Sequence, residues 1–316
     1  MTGWILKKLD HLKTPQKAIA FWEGDVNSLK LVNDAINVVY RFEANNKGYY
    51  LRITHPNIRS KNELNSAIAY QNHLFSCGAP VCHPIESISK DFIVEIEQND
   101  MLFFAHVCNE VPGKTISVRN NDIGAHQAWG KSLAELHCAS LSYQPDKKYH
   151  YLSWQDLWQE IAVNVKCENV ELRNAYYETN EWLQTQDASA NFGLTHGDHR
   201  GANALYDGKR VNIIDFDEPV YHWLTSDIAC AFICPEPFNS WRDKFYAFID
   251  GYRSIRSLTS NDIVQIKQLM RMKGLGLYTW TKNNWHHSEV PGGGKKGEWL
   301  SNIYQLIVNP VDLMEG

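Results

Sequence analysis

The stretch Leu194–Asp217, LTHGDHRGANALYDGKRVNIIDFD, constrains this chain more than any other. Gly197 and Gly201 interrupt any helix that would run through it, so Asp198 and Asn203 belong to a loop. Asp207-Gly208 is turn chemistry. The β-branched run that follows reads as a strand, which puts Asp215 at a strand end. The stretch thus predicts a polar loop followed by a hairpin, and the hairpin returns Asp215 to the side of Asp198 and Asn203.

The chain before this stretch changes character once. After an irregular or partly helical lead-in, SLKLV, NVVYRFE and GYYLRIT lean towards strand, and Asn45-Asn46-Lys47-Gly48 makes the last two an antiparallel hairpin. A helix is expected over Lys61–Cys77, stopped by Gly78 and Pro80. PIESI, DFIVEIEQ and MLFFAHV continue the strand pattern, and Pro112-Gly113 closes it. Beyond, His126–His137 has Trp129, Leu133 and Leu136 at helical spacing. Helices are expected over Trp154–Val165 and Glu171–Gln184. Three more are expected in SDIACAFI, WRDKFYAFIDGYRSI and NDIVQIKQLMRMKGLGLYTW. The central stretch is expected to be the only strand-like part of this half, and Pro291–Gly297 a mobile Gly-rich loop. The fold class is α+β with two lobes: an antiparallel β-rich lobe over 1–107 and a helical lobe over 108–316.

Composition narrows the partners. A net charge of −5, with no basic cluster longer than a pair, argues against nucleic acid. No apolar run reaches the length of a membrane span, and the N-terminus lacks a signal-peptide pattern. Seven scattered cysteines without a CxxC pair suit reduced thiols and a cytoplasmic setting. Oligomeric state leaves no trace in the sequence.

Phosphoryl transfer would account for the central stretch. A carboxylate must take the proton of the attacking hydroxyl, and hard oxygen ligands must hold Mg²⁺ on the nucleotide phosphates. Asp198 fits the base. Asn203 and Asp215 fit the ligands, and His196 fits a brace. Asp217 is open between ligand, second-layer partner and plain loop carboxylate. Arg200 is open between a phosphate or substrate contact and a salt bridge within the loop.

His196-Gly197-Asp198, Asn203 five residues on, and Ile214-Asp215-Phe216-Asp217 together resemble the signature of the aminoglycoside phosphotransferase and choline kinase superfamily, relatives of the protein kinases. Leu133–His137, Pro112-Gly113, Ser226–Ala229 and Gly251-Tyr252-Arg253 extend the likeness in family order. The resemblance implies a two-lobed kinase-like fold and an ATP- and Mg²⁺-dependent phosphotransferase. It implies that Asp227 anchors the catalytic loop, and Ser226-Asp227 also reads as a helix N-cap. It puts a basic phosphate contact at Arg52 and hinge backbone against adenine at Ala105–Val107. Asn33–Asn37 would be the loop over the phosphates. The family's helix Glu would fall near Ala67; Glu63, one turn earlier, either replaces it or complements the helix dipole.

The resemblance implies a small-molecule hydroxyl acceptor: an aminoglycoside, amino alcohol, homoserine or sugar, with the motif slightly closer to the homoserine-kinase-like and Ser/Thr-kinase-like bacterial members. Glu218, Tyr221, His222, Trp223, Glu236, Asp243, Asp250, Tyr278, Trp280 and Trp285 could wall the acceptor, and the aromatics among them could equally be packing. A Ser/Thr protein kinase and a nucleotide binder without catalysis are the alternatives. His286-His287 and Pro291–Lys296 imitate metal and phosphate motifs without their spacing or context.

Overall fold

The computed structural model describes residues 9–34, 37–117, 122–187, 191–233, 238–290 and 294–313. It divides into two units: Met1–Pro112 with Tyr143–His150, and Gly113–Ser142 with Tyr151–Gly316.

The first unit is a sheet built from alternating sequences. Helix α1 (Lys13–Ile19) precedes β1 (Asp25–Asp34), β2 (Val38–Ala44) and β3 (Lys47–Thr54). Asn45 and Asn46 both take positive φ, at 50° and 60°, the turn that Asn tolerates and that matches strand twist. Helix α2 (Lys61–Ser76), β4 (Pro84–Ile85), β5 (Ile93–Gln98) and β6 (Met101–Asn109) follow. The order is β1-β2-β3-β6-β4, with β5 also paired to β6. Val38, Phe42, Leu51, Ile53, Phe103 and Ala105 fill one face together with Ala18, Ile19 and Trp22. Phe104 and Ile93 meet Leu64 and Ile68 of α2 on the other. Burial on both faces explains why β6 reads as a nearly unbroken apolar run. PIESI contributes only the two residues of β4. β6 runs through 107–108, where the sequence alone put the division between lobes. The turn expected over Asn33–Asn37 includes 35 and 36, which lie outside the described residues.

The second unit is mostly helical: α3 (Ile123–Ser140), α4 (Trp154–Val165), α5 (Val170–Gln184), α6 (Thr225–Ala231), α7 (Arg242–Arg253), α8 (Ser260–Asn284) and α9 (Lys296–Val308). Trp129, Leu133, Phe245, Phe248 and Tyr252 form the centre of its core. The α3–α7 crossing is close because Gly130 lies against the Phe248 carbonyl and Gly251 against the Gln127 carbonyl, where a Cβ would overlap backbone. Among the described residues no helix is long and apolar enough to cross a membrane.

Two expectations fail here. The central hairpin is not the only strand structure of this half. Short strands β8 (Leu152–Ser153), β9 (Phe192–Thr195) and β12 (Val220–Trp223) form a second sheet, and β7 (Lys114–Thr115) joins β10 (Ala204–Tyr206) and β11 (Val211–Ile213). The loop expected over Pro291–Gly297 also stops short of its bound, because Lys296 and Gly297 open α9, whose Ile303, Leu306 and Ile307 are buried. Residues 291–293 of that segment lie outside the described residues.

Candidate active site

The site residues of the second unit hang between two sheets. Strand β9 pairs antiparallel with β12, Thr195 opposite Val220, and the Thr195 hydroxyl donates to the Val220 carbonyl at 2.8 Å. The chain leaves β9 at His196. It turns through a short 3₁₀ segment, Gly201–Asn203, and enters β10, whose Ala204 pairs with Ile213 of β11. The turn is closed by the Asp207 carboxylate, which accepts from the amides of Lys209 and Arg210 at 2.8 and 2.9 Å. One further bond, Ile214 N–H to the Asn203 carbonyl at 3.0 Å, brings the Asp215 segment beside Asn203. Asp215 itself takes φ 71°, a left-handed conformation that Asp tolerates better than most residues.

Asp198 stands within this frame. Its backbone N–H donates to His196 Nδ1 at 3.3 Å. Asn203 Nδ2 donates to its main-chain oxygen at 2.9 Å and to its Oδ2 at 3.2 Å. Arg200 Nε lies 3.0 Å from the same Oδ2, the salt bridge within the loop that was one of its two expected roles. The His196 ring, fully buried, donates from Nε2 to the Ile214 carbonyl at 3.0 Å and packs against Phe216. It therefore ties the loop of Asp198 to the segment of Asp215.

Asp227 does not cap its helix. The N-cap of α6 is Leu224, and the Asp227 carboxylate turns to the loop instead. It accepts from the His196 and Gly197 amides at 2.7 and 3.0 Å and from His137 Nε2 at 3.2 Å. Those N–H groups come from a buried loop with no helix ladder to satisfy them, so they claim the carboxylate. Tyr252 donates its hydroxyl to His137 Nδ1 at 2.8 Å, which fixes a neutral imidazole with its proton on Nε2. Burial works against the Asp227 charge, but the His137 hydrogen bond and the imidazoles around it outweigh this and hold the carboxyl well below its usual range. His137 is itself lowered by burial.

Two contacts that the sequence alone does not reveal complete the frame. Trp129 donates its indole N–H to His199 Nε2 at 2.7 Å in the core, and burial pushes His199 down to about 3. Lys273 of α8 donates from Nζ to the Gly197 carbonyl at 2.7 Å. The HQAWGKSLAELH pattern predicted Trp129 as core; nothing local to residue 273 signals its contact.

In the first unit, Arg52 sits on β3 opposite His106 of β6, between the pairs Leu51–Val107 and Ile53–Ala105. Ala105 and Val107 do not form a hinge. Val94 and Ile85 flank them on their other side, so the backbone lies inside the ladder with strands on both edges. Glu63 is committed to its own helix. Its carboxylate accepts from the Ser60 amide and hydroxyl at 2.8 and 2.7 Å in a capping box, and lies 4.0 Å from Arg59. The expected acceptor walls also divide. His222 and Trp223 are buried in packing, Tyr221, Tyr278 and Trp285 are part-buried, Glu218, Asp243, Asp250 and Trp280 are exposed, and Glu236 lies outside the described residues.

The donor set suits a hard cation that keeps most of its own shell. With Asn203 Nδ2 turned to Asp198, the groups that could serve a cation here are the Asn203 amide oxygen and the Asp215 carboxylate. Among the described residues no cluster of three or more His, Cys, Asp or Glu forms a metal cage. A two-oxygen site fits Mg²⁺, which retains water and phosphate ligands, better than Zn²⁺.

Comparison with known proteins bears on the family and the fold. Residues 28–258 match the phosphotransferase enzyme family, abbreviated APH. Amicoumacin kinase of Bacillus subtilis (strain 168) is 24% identical over 287 residues, covering 86% of this chain and 85% of the relative. Homoserine kinase of Methylobacillus glycogenes is 25% identical over 281 residues, covering 84% and 83%. The solved structure of an amicoumacin kinase in complex with AMP-PNP, Ca²⁺ and Ami superposes with a TM-score of 0.85 at 19% identity, covering 99% of both chains. With its β-rich first unit, its helical second unit and a family match across most of its length, the chain belongs to the phosphotransferase enzyme family, the group of the aminoglycoside phosphotransferases and related small-molecule kinases.

Proposed function

We propose that this protein transfers the γ-phosphate of ATP, with Mg²⁺, to a hydroxyl of a small molecule of the amino alcohol, homoserine, aminoglycoside or sugar type. The observation that carries the reading is the loop itself. Asp198 is held by bonds to His196 and Asn203, and Asn203 is tied through its carbonyl to the chain that leads into Asp215. A binder of nucleotide has no need of a carboxylate held so firmly at this point.

The acceptor oxygen attacks the γ-phosphorus, the bond to the bridging β–γ oxygen breaks, ADP leaves, and Asp198 takes the hydroxyl proton. Asn203 and Asp215 would hold Mg²⁺, which when bound neutralises charge on the phosphate oxygens. Arg200 is the residue that must adjust. Its guanidinium lies against Oδ2 of Asp198 as the structure stands, and the incoming hydroxyl either meets Oδ1 or shares Oδ2 as the guanidinium moves towards the phosphates. Arg52 is the proposed phosphate contact of the first unit, with Arg supplying a bidentate donor in place of Lys. A cytoplasmic setting suits the substrates.

A γ-phosphate transfer assay across amino alcohols, homoserine, aminoglycosides and sugars tests the reading. Asp198→Ala should lower turnover by about 10²–10⁴-fold, the usual contribution of a positioned base, with nucleotide binding retained. Full transfer by that variant sinks the mechanism. Label appearing in generic protein substrates instead would favour the Ser/Thr kinase reading, and nucleotide binding with no transfer to any acceptor the non-catalytic one.

A further inference from the structure

Lys273 lies in the body of α8, far from the catalytic loop in sequence, and its side chain is part-buried. A lysine in such a place usually lies along apolar surface with its head in water, or meets a carboxylate. This one gives a donor to a main-chain oxygen, the Gly197 carbonyl, at 2.7 Å. That oxygen belongs to the peptide leading directly into Asp198.

The same glycine is held from its other end. Its N–H donates to Asp227 Oδ1 at 3.0 Å, and its φ of +83° is left-handed. A side chain there would overlap the Glu218 carbonyl. The residue before the base is therefore fixed by a carboxylate from α6, an ammonium from α8 and the backbone entering β12. Rotation of the 197–198 peptide would swing Asp198, and the bond to Lys273 opposes that rotation.

The charge has a second consequence. Burial works against the ammonium, yet Cys230, Asp198, Glu218 and Asp227 around it more than compensate, and the lysine is held above its usual pKa as a cation. The loop gathers carboxylates at 198, 215, 217 and 218, and a nucleotide triphosphate would add several negative charges. A cation behind the base offsets part of the negative charge that gathers at the reacting centre as the phosphoryl group is transferred.

We infer that Lys273 is a positioning residue for phosphoryl transfer: by clamping the Gly197 carbonyl and placing positive charge behind Asp198, it sets turnover and leaves nucleotide affinity unchanged. The inference rests on the assignment of Asp198 as the base. Three variants separate its parts. Lys273→Met removes donor and charge, Lys273→Gln retains a donor, and Lys273→Arg retains both.

Hydrogen exchange of amides 195–200, with β2 and β3 amides as the internal reference, reads the clamp in the whole protein. Release of labelled phosphate from MgATP, to water and to the acceptors named above, reads turnover. Lys273→Met should speed exchange at 195–200 by about tenfold or more. It should lower turnover by about 10–100-fold, in line with the cost of a small misplacement of a reacting group. The MgATP dissociation constant should stay within about twofold, and Lys273→Arg should recover most of the loss. Wild-type exchange at 195–200 in Lys273→Met overturns the clamp, and so does nucleotide affinity that weakens in step with turnover. If the Met variant does not fold, Gln against Arg decides. Equal turnover in those two removes the role of charge, and lower turnover in Gln supports it. Failure of the underlying reading looks different: Asp198→Ala would then keep full transfer whatever Lys273 does.

Discussion

The two units use polar groups in opposite ways. In the first, the ion pairs sit at the margins of a sheet whose ladder already defines the shape, and the buried polar contacts, Asn37 with Thr54 and Gln71 with Cys82, are uncharged. Arg41 reaches Glu43 and Glu110, Lys61 reaches Glu95, and Glu63 caps its own helix, all with side chains partly in water. In the second, polar groups lie at the centre. Asp227, His137, His196 and His199 are almost fully buried, and their partners come from elements far apart in the chain. Removing a marginal pair leaves the sheet intact. Removing one member of the central set strands the others without water to replace it. The difference fits the work proposed for each: a sheet has to present a surface, whereas a catalytic loop has to hold one carboxylate in one place.

Asp227→Ala tests that contrast most severely. It leaves the His196 and Gly197 amides and His137 Nε2 without their acceptor, the first and last of them buried and Gly197 part-buried. Each such donor left unsatisfied away from water costs about 1–3 kcal/mol, so the three together should cost about 3 kcal/mol or more. Urea unfolding followed by tryptophan fluorescence reports the second unit, because all tryptophans other than Trp4 and Trp22 lie in it. Asp227→Asn keeps the shape and part of the hydrogen bonding and should fall between Ala and wild type. A loss under about 1 kcal/mol for Ala would mean that the loop holds itself, and the contrast between the units would collapse.

The contrast also explains what the sequence could and could not reveal. Strand alternation, the Asn45-Asn46 turn and the Trp129-Leu133-Leu136 spacing are local patterns, and each named its element. The α4 helix runs over the same residues, Trp154–Val165, that the sequence suggested. Signals were present for two missed elements. VYHW of β12 is rich in strand formers, and Trp299, Ile303 and Leu306-Ile307 have the spacing of an amphipathic helix. The spacing of Asp198, Asn203 and Asp215 pointed to the loop and hairpin that bring their chain segments together. What set the side chains in the loop was not local. Asp227 reads as a cap until three N–H groups from elsewhere claim it, and Lys273 reads as one more charge on a helix. Ala105 and Val107 were misplaced because the end of β6 depends on pairing with β3, β4 and β5, which no single-strand pattern encodes.

The buried imidazoles make the second unit sensitive to acid. Burial pushes His199 and His222 down to about 3, and His126 and His137 also fall below their usual value. A histidine kept neutral in the fold stabilises fully above its unfolded pKa, near 6.5, and loses that contribution as pH falls towards the folded value. Between pH 7.5 and 5.5 His199 and His222, both held far below that range, should each remove about 1.4 kcal/mol, and His126 and His137 add a loss of the same sign. Asp227, held low, acts later: its contribution is present above the ordinary carboxylate range and is lost as pH falls below about 4. Urea midpoints across this range should decline from pH 7 downwards, and His222→Gln should flatten the slope. An unchanged slope in that variant would show that water reaches the imidazole, and the second unit would then be no drier than the first.

The smallest effect belongs to the first unit. Arg41 makes a two-pronged contact with Glu110, Nε to Oε1 and Nη2 to Oε2 both at 2.8 Å, and its bond holds the Glu110 carboxyl below its usual range. The side chains are 27% and 34% exposed, so water competes for both partners and salt screens them. A double-mutant cycle of Arg41→Ala and Glu110→Ala should give a coupling of up to about 1 kcal/mol. The coupling should shrink as salt is raised from low to physiological strength. The Arg41–Tyr50 and Glu43–Gly48 register pairs lie between two paired strands and survive either substitution, because their bonds are main-chain. A coupling near the cost of Asp227→Ala would place a central polar frame in the sheet as well, and exposure would no longer separate the two units.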